Sequence, residues 1–219
     1  MDCKGVIFDF NGTLFWDSEK HEKAWKEFSK EIRGYELSEK EFKENVHGRT
    51  NELILKHIMG DECDSERIEY LSKEKERVYR ELCKSDEKTF KLVPGATELF
   101  DYLKKEGIPF TIATASIKDN VDFFIESFGL DKWFDEDKIA YDDGETKSKP
   151  DPDIYLKAAS KIGVDIKECI VFEDAISGIK AANNAGAKEI IVIDGKEEKA
   201  SFKDIEGVSK IIKDFRDLI

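Results

Sequence analysis

Short apolar runs alternate with amphipathic stretches along most of the chain, and one long segment interrupts the alternation. Gly5-Val6-Ile7-Phe8 is continuously apolar and too short for a helix, so residues 4–9 predict a buried strand. From about Ser18 to Ser85 the periodicity is helical and the polar positions are mostly Glu and Lys. Trp25, Phe28 and Ile32 fall at helical spacing there, before a stop at Gly34. Ser38-Glu39-Lys40-Glu41 is a capping-box pattern opening a second helix. Asn51 to Met59, with Leu53, Ile54 and Ile58, predicts a third that closes at Gly60. Asp64 is placed to cap a fourth, with Ile68, Leu71, Val78 and Leu82 along one face.

Beyond Pro94 the alternation returns. Pro94-Gly95 opens a helix carrying Leu99 and Leu103 and ending at Gly107. Strands are predicted at Phe110 to Ala115, Lys138 to Tyr141 (the weaker one), Cys169 to Phe172 and Glu189 to Ile193. Between and after them come helices at Ile117 to Phe128, Asp153 to Ile162 and Ile176 to Ala185. Strands and helices alternating at this length predict an α/β fold, a Rossmann-like doubly wound parallel sheet with helices on both faces. Residues 1–15 and 90–219 form the predicted core, and 16–89 an inserted four-helix cap. An insert leaving directly after the first strand is expected above that strand's carboxyl end, as a lid.

Composition narrows the function classes. The 219 residues are 40% hydrophobic and 39% charged, with a net charge of −13, and no apolar stretch is long enough to span a membrane. A chain so acidic without a basic stripe argues against nucleic acid, because phosphate contacts dominate that affinity. An anionic substrate would need local positive charge from a metal, a lysine or helix N-termini. Cys3, Cys63, Cys83 and Cys169 are scattered with no paired spacing, which argues against a disulfide framework or zinc site. The same cysteine pattern makes a reducing cytoplasm the expected location, and no basic-then-apolar signal segment is read at the start. The acidic surface leans towards a monomer.

The candidate chemistry sits at strand ends, where open α/β sheets bind their ligands. Asp9-Phe10-Asn11-Gly12-Thr13 puts a carboxylate and a glycine turn after the first strand. Thr114-Ala115-Ser116 follows the second predicted strand and offers hydroxyls and backbone N–H groups to a phosphate, although Ser116 also suits a helix N-cap. Lys149 stands in the rigid Lys149-Pro150-Asp151-Pro152 loop, while Lys147 reads as a solvated loop lysine. Glu173-Asp174 ends the Cys169 strand; two adjacent carboxylates there call for a cation, and hard oxygen ligands beside a phosphate favour Mg²⁺. Glu173 alternatively caps the following helix.

This set, in this order, resembles the haloacid dehalogenase superfamily over the whole chain. The segment from Ser18 to Trp25 and the helical insert look most like its β-phosphoglucomutase and phosphatase branch. The resemblance implies that Asp9 attacks phosphorus and becomes an aspartyl-phosphate. It implies Mg²⁺ between Asp9, the Asn11 backbone carbonyl and Asp174, with Glu173 nearby or acting through water. Thr114, the Ala115 amide and Lys149 would hold the phosphoryl oxygens, and His21, Arg49 and Asn51 of the cap would contact substrate. The implied partner is a small phosphorylated metabolite such as a sugar phosphate.

One position departs from the resembled pattern. Asn11 stands where most such enzymes carry a second aspartate, which protonates the leaving oxygen and then activates water. An amide donates a hydrogen bond but transfers no proton at neutral pH. The leading expectation is therefore a Mg²⁺-dependent phosphatase weakened at this step. The alternatives are a hexose-phosphate mutase with His21 or another group replacing the acid, and a non-catalytic phosphometabolite-binding protein. Dehalogenation is disfavoured, because it leaves Glu173-Asp174 without a task; phosphonatase chemistry through a lid lysine stays open. Among the remaining singled-out residues, Gly48 in His47-Gly48-Arg49 reads as a helix stop and His57 as structural. Trp25 and Phe123-Phe124 read as core aromatics.

Overall fold

In the computed structural model, residues 1–46, 49–60, 64–195 and 202–218 are described. His47, Gly48 and Cys63 lie outside the described residues. The chain divides into two compact units, Met1–Trp16 with Lys91–Ile219, and Asp17–Phe90.

The first unit is built on six strands, β1 (Gly5–Phe8), β2 (Phe110–Ile117), β3 (Ala140–Asp142), β4 (Cys169–Glu173), β5 (Glu189–Ile193) and β6 (Val208–Ile212). They form one sheet in the order β3-β2-β1-β4-β5-β6, parallel throughout. The order reverses beside β1, so the two halves of the sheet diverge where β1 ends. Side chains alternate across the strands and divide the core in two. Ile7 and Val171 point to one face, packing with Tyr155, Ala158, Ile179 and Ala182. Phe8 and Phe172 point to the other; their rings stack at 5.1 Å, and Phe100, Phe134 and Phe215 meet Phe8 edge-on. The doubly wound sheet expected from the alternating pattern is thus the fold.

Several strand assignments differ from the sequence reading, most of them by a residue or two at the ends. β2 runs two residues further, to Ile117, so Ile117 rather than Ser116 occupies the N-cap position of the helix that follows. β3 starts at Ala140, because Glu136–Lys138 closes into a 3₁₀ turn capped by Asp135. β6 is an additional edge strand: its Ser209 and Lys210 are exposed and only Ile212 is buried, so its composition carries little strand signal.

Among the described residues of the second unit, the α-helices are α1 (Ser18–Arg33), α2 (Glu39–Glu41), α3 (Asn51–Met59) and α4 (Ser65–Ser85). The expected caps are present. Ser38 and Glu41 form a reciprocal capping box, and the Asp64 carboxylate accepts from the Arg67 N–H. α2 is a single turn leading into a π-helical stretch, Phe42–Val46. The core collects Trp25, Phe28, Phe42, Ile54, Leu55 and Ile58. Leu55 takes the buried position expected of Leu53, which is exposed. The buried face of α4 is also rotated from the expected one. It carries Ile68, Lys75, Glu76, Tyr79 and Cys83, while Val78 and Leu82 are half-buried. A charged pair can occupy that face because its members are paired there.

Candidate active site

β1 and β4 pair in register from Gly5–Cys169 to Phe8–Phe172, and the Asp9 N–H donates to the Phe172 carbonyl at 2.9 Å. Asp9 and Glu173, the next residue on each strand, therefore come side by side with their carboxylates on one face. Lys149 bridges them, its Nζ 2.7 Å from Asp9 Oδ1 and 2.6 Å from Glu173 Oε1. All three side chains are buried. Burial pushes the Asp9 carboxyl up to about 7 against the opposing pull of Lys149. Burial works against the Lys149 ammonium too, but the Asp9 and Glu173 carboxylates outweigh it and hold its pKa well above the usual lysine range.

Glu173 accepts four hydrogen bonds. Oε1 accepts from Lys149 Nζ and, at 2.8 Å, from the Tyr155 hydroxyl. Oε2 accepts from the Asp174 and Ala175 backbone N–H groups, both at 2.8 Å. Asp174 leans the other way, accepting from Thr13 Oγ1 at 3.3 Å. Its carboxylate lies over Gly12, where an added Cβ would fall on the carboxyl group; φ there is +81° besides. Gly12 is thus needed for both the turn and the carboxylate beside it. One oxygen each from Asp9, Glu173 and Asp174 lies within 4.8 Å of the others. Hard oxygens so grouped suit a divalent cation such as Mg²⁺, with Glu173, whose oxygens already accept four hydrogen bonds, standing beside Asp9 and Asp174.

Asn11 and Thr114 meet across the β1–β2 boundary. Ser116 Oγ donates to Asn11 Oδ1 at 2.8 Å and Thr114 Oγ1 does so at 3.3 Å, while Thr114 Oγ1 accepts from the Ser116 N–H. Ala115 between them is exposed at the strand end. Asp9, Asn11, Thr114, Lys149, Glu173 and Asp174 are therefore gathered in one unit at the carboxyl ends of β1, β2 and β4. Lys147, by contrast, is exposed and lies 3.9 Å from Asp151.

Of the three cap residues, His21 and Asn51 share a network within the second unit. Lys75 Nζ lies 2.9 Å from His21 Nδ1 and 2.8 Å from Glu76 Oε1, and Asn51 Nδ2 donates to the same Glu76 oxygen at 2.7 Å. An ammonium only donates, so His21 Nδ1 accepts and the ring proton sits on Nε2, 3.4 Å from Asp17 Oδ2. The Tyr79 hydroxyl donates to that Asp17 oxygen as well, and its ring stacks on His21 at 3.9 Å. Arg49 is exposed, with its backbone N–H donating to the Val46 carbonyl. His57 contacts Glu41, Nε2 to Oε1, at 3.0 Å.

Sequence reasoning missed Lys75, Glu76, Asp17, Tyr79 and Tyr155. For Lys75 a signal existed: with Ile68, Tyr79 and Cys83 it falls at helical spacing on one stripe of α4, where a lysine is out of place unless paired. Tyr155 gave none, since a tyrosine on a buried helix face reads simply as core.

The chain is similar to several known proteins. A crystal structure of a HAD hydrolase, family IA, variant 3, from Entamoeba histolytica is 47% identical with a TM-score of 0.89, over 99% of this chain and 95% of that one. Protein CbbY of Rhodobacter capsulatus is 30% identical over 196 residues, 87% of this chain and 86% of that protein. Hexitol phosphatase A of Escherichia coli is 28% identical over 198 residues, 88% of this chain and 84% of that protein. A family model for the haloacid dehalogenase-like hydrolases matches residues 3–186. With a match of that extent and a relative 30% identical along most of both chains, this chain belongs to the haloacid dehalogenase-like hydrolase family.

Proposed function

We propose that this protein is a Mg²⁺-dependent phosphatase of small phosphate esters such as sugar phosphates, acting through an aspartyl-phosphate on Asp9. The observation that carries the reading is the buried Asp9–Lys149–Glu173 contact at the sheet's carboxyl edge, with Asp174 beside it. The name of the hexitol phosphatase relative supports the substrate class.

Asp9 attacks phosphorus; the bond from phosphorus to the ester oxygen breaks, and that oxygen leaves with the electron pair. Lys149, Thr114 and the Ala115 amide hold the phosphoryl oxygens and offset their charge in the transition state. Water then attacks the aspartyl-phosphate, releasing orthophosphate and restoring the Asp9 carboxylate. Asp9, Asp174 and the Asn11 backbone carbonyl would hold Mg²⁺, with Glu173 beside them. Bound there, the ion would neutralise phosphoryl charge as a Lewis acid.

Asn11 limits both steps. Its amide donates a hydrogen bond to the leaving oxygen but supplies no proton, and it cannot take one from water. The leaving oxygen is therefore protonated from solvent, so activated phosphates react more readily than sugar phosphates. His21 is a poor replacement acid, because both its ring nitrogens already have partners on Lys75 and Asp17. That weakens the mutase alternative in the form that relies on His21.

Phosphate release from sugar phosphates and an aryl phosphate, with Mg²⁺ and with a chelator, tests the reading. Release that needs the metal and disappears in Asp9→Asn supports it. Retention of phosphate ligands with no release from any ester would instead favour a binding protein.

A further inference from the structure

Tyr155 has no part in the chemistry above, yet its hydroxyl is one of four donors on Glu173. It lies on the helix Asp153–Ile162, six residues beyond Lys149, and is fully buried. A carboxylate offers about four acceptor positions, and here all four are filled, two on each oxygen. Backbone N–H groups fix Oε2. Oε1 is shared between Lys149 and the Tyr155 hydroxyl, at 2.6 and 2.8 Å. The tyrosine ring also faces the same ammonium, with Nζ 5.0 Å from its centroid. Burial and the Glu173 charge keep the phenol protonated, so it acts here as a donor.

The geometry decides what this bond does. A lysine side chain has many rotamers, and an ammonium held by Asp9 alone is free to swing about that oxygen. A second anchor at Glu173 Oε1 limits the swing only while that oxygen is itself fixed. We propose that Tyr155 is a positioning residue: its hydroxyl fixes Glu173 Oε1, and through it the Lys149 ammonium, where Lys149 reaches Asp9. The inference rests on the reading of Asp9 and Lys149 as the reacting carboxylate and its cation.

The test combines Tyr155→Phe, Lys149→Met and the double variant, read by phosphate release from p-nitrophenyl phosphate with Mg²⁺ and by thermal unfolding. Phenylalanine keeps the ring and removes only the donor. A hydrogen bond to a charged group sets the expected scale, a fall in kcat of about 10–100-fold. KM should stay within about twofold, a split that general loosening of the fold would not produce. In unfolding, Tyr155→Phe should lower the midpoint in the wild type and change it much less in the Lys149→Met background, the signature of coupled residues. Unchanged kcat in an active wild type, kcat and KM worsening together, or additive unfolding shifts would each overturn the proposal. A wild type that releases no phosphate removes the phosphatase reading alone; the unfolding cycle then decides on Tyr155, coupling supporting it and additivity overturning it.

Discussion

Replacing Lys149 with methionine keeps most of the apolar stem and deletes the charge joining two buried carboxylates. Asp9 and Glu173 side chains are 8% and 1% exposed, and both lie within 2.7 Å of the ammonium. Removing one partner of a buried ion pair costs about 3–5 kcal/mol, and this change leaves two like charges side by side rather than one. The loss should depend on pH. Burial alone already pushes Asp9 up, and Lys149 is the largest influence pulling it down. Without that ammonium, Asp9 takes up a proton at a higher pH still. In acid it is protonated in both proteins, so only the Lys149–Glu173 contact is lost there, whereas at higher pH the pairing with ionised Asp9 is lost as well. Urea unfolding of both proteins, in a chelator, at about pH 5 and about pH 8 measures this. The expected destabilisation is about 3–5 kcal/mol at the higher pH and up to ~1.4 kcal/mol smaller at the lower, the equivalent of the one pH unit between the wild-type Asp9 value and pH 8. A loss below ~1 kcal/mol at the higher pH, or an equal loss at both, refutes the buried-charge reasoning.

Other positions test separate parts of the account. Asn11→Asp introduces a proton-transfer group that the Thr114 and Ser116 hydroxyls can hold; phosphate release from sugar phosphates should rise by roughly 10²–10⁴, and from an aryl phosphate by less. Equal rates for both proteins on every substrate would falsify the proton-transfer argument. Gly178→Ala should reverse a propensity rule: alanine in a helix is favoured by about 1 kcal/mol, but a Cβ at Gly178 would overlap the Glu173 carboxylate. Net destabilisation with loss of phosphate release is expected, and a more stable, fully active variant would contradict the contact. For Asp9 in metal-free protein the sign follows from a folded pKa raised from 3.8 to about 7. Its proton favours the folded state below the unfolded value, and that stability is lost as pH rises through the folded one. Asp9→Asn should flatten unfolding stability between those limits, and an unchanged slope in a denaturation series would count against the raised pKa.

Much of the fold and site was legible for a simple reason. Fully buried parallel strands are written as short apolar runs, and residues such as Asp9, Thr114, Lys149 and Glu173 interrupt that pattern where each run or its connecting loop ends. Helix limits were equally visible where a glycine or a cap marked them, as at Gly34, Ser38 and Asp64. What stayed hidden depends on contacts distant in sequence. β6 is held as an edge strand by β5 rather than by its own mixed composition. The buried face of α4 carries Lys75 paired with Glu76 and His21, and although its spacing with Ile68, Tyr79 and Cys83 is visible, its partners are not. Ser116 looked like a helix cap because its hydroxyl's partner, Asn11, lies 105 positions away. Tyr155 is the extreme case, since the single atom that matters is a hydroxyl on an otherwise ordinary core ring.

The central claim is that Asp9 accepts the phosphoryl group, and its most direct test is to look for the modified residue. The protein would be mixed with Mg²⁺ and an acyl phosphate such as acetyl phosphate, quenched in acid, digested and analysed by peptide mass spectrometry. Because Asn11 cannot activate water, the intermediate should persist long enough to be captured. The account predicts a phosphoryl mass increment on the peptide containing Asp9, dependent on Mg²⁺ and absent in Asp9→Asn. Phosphate release with no label on Asp9, or undiminished release by Asp9→Asn, would contradict it.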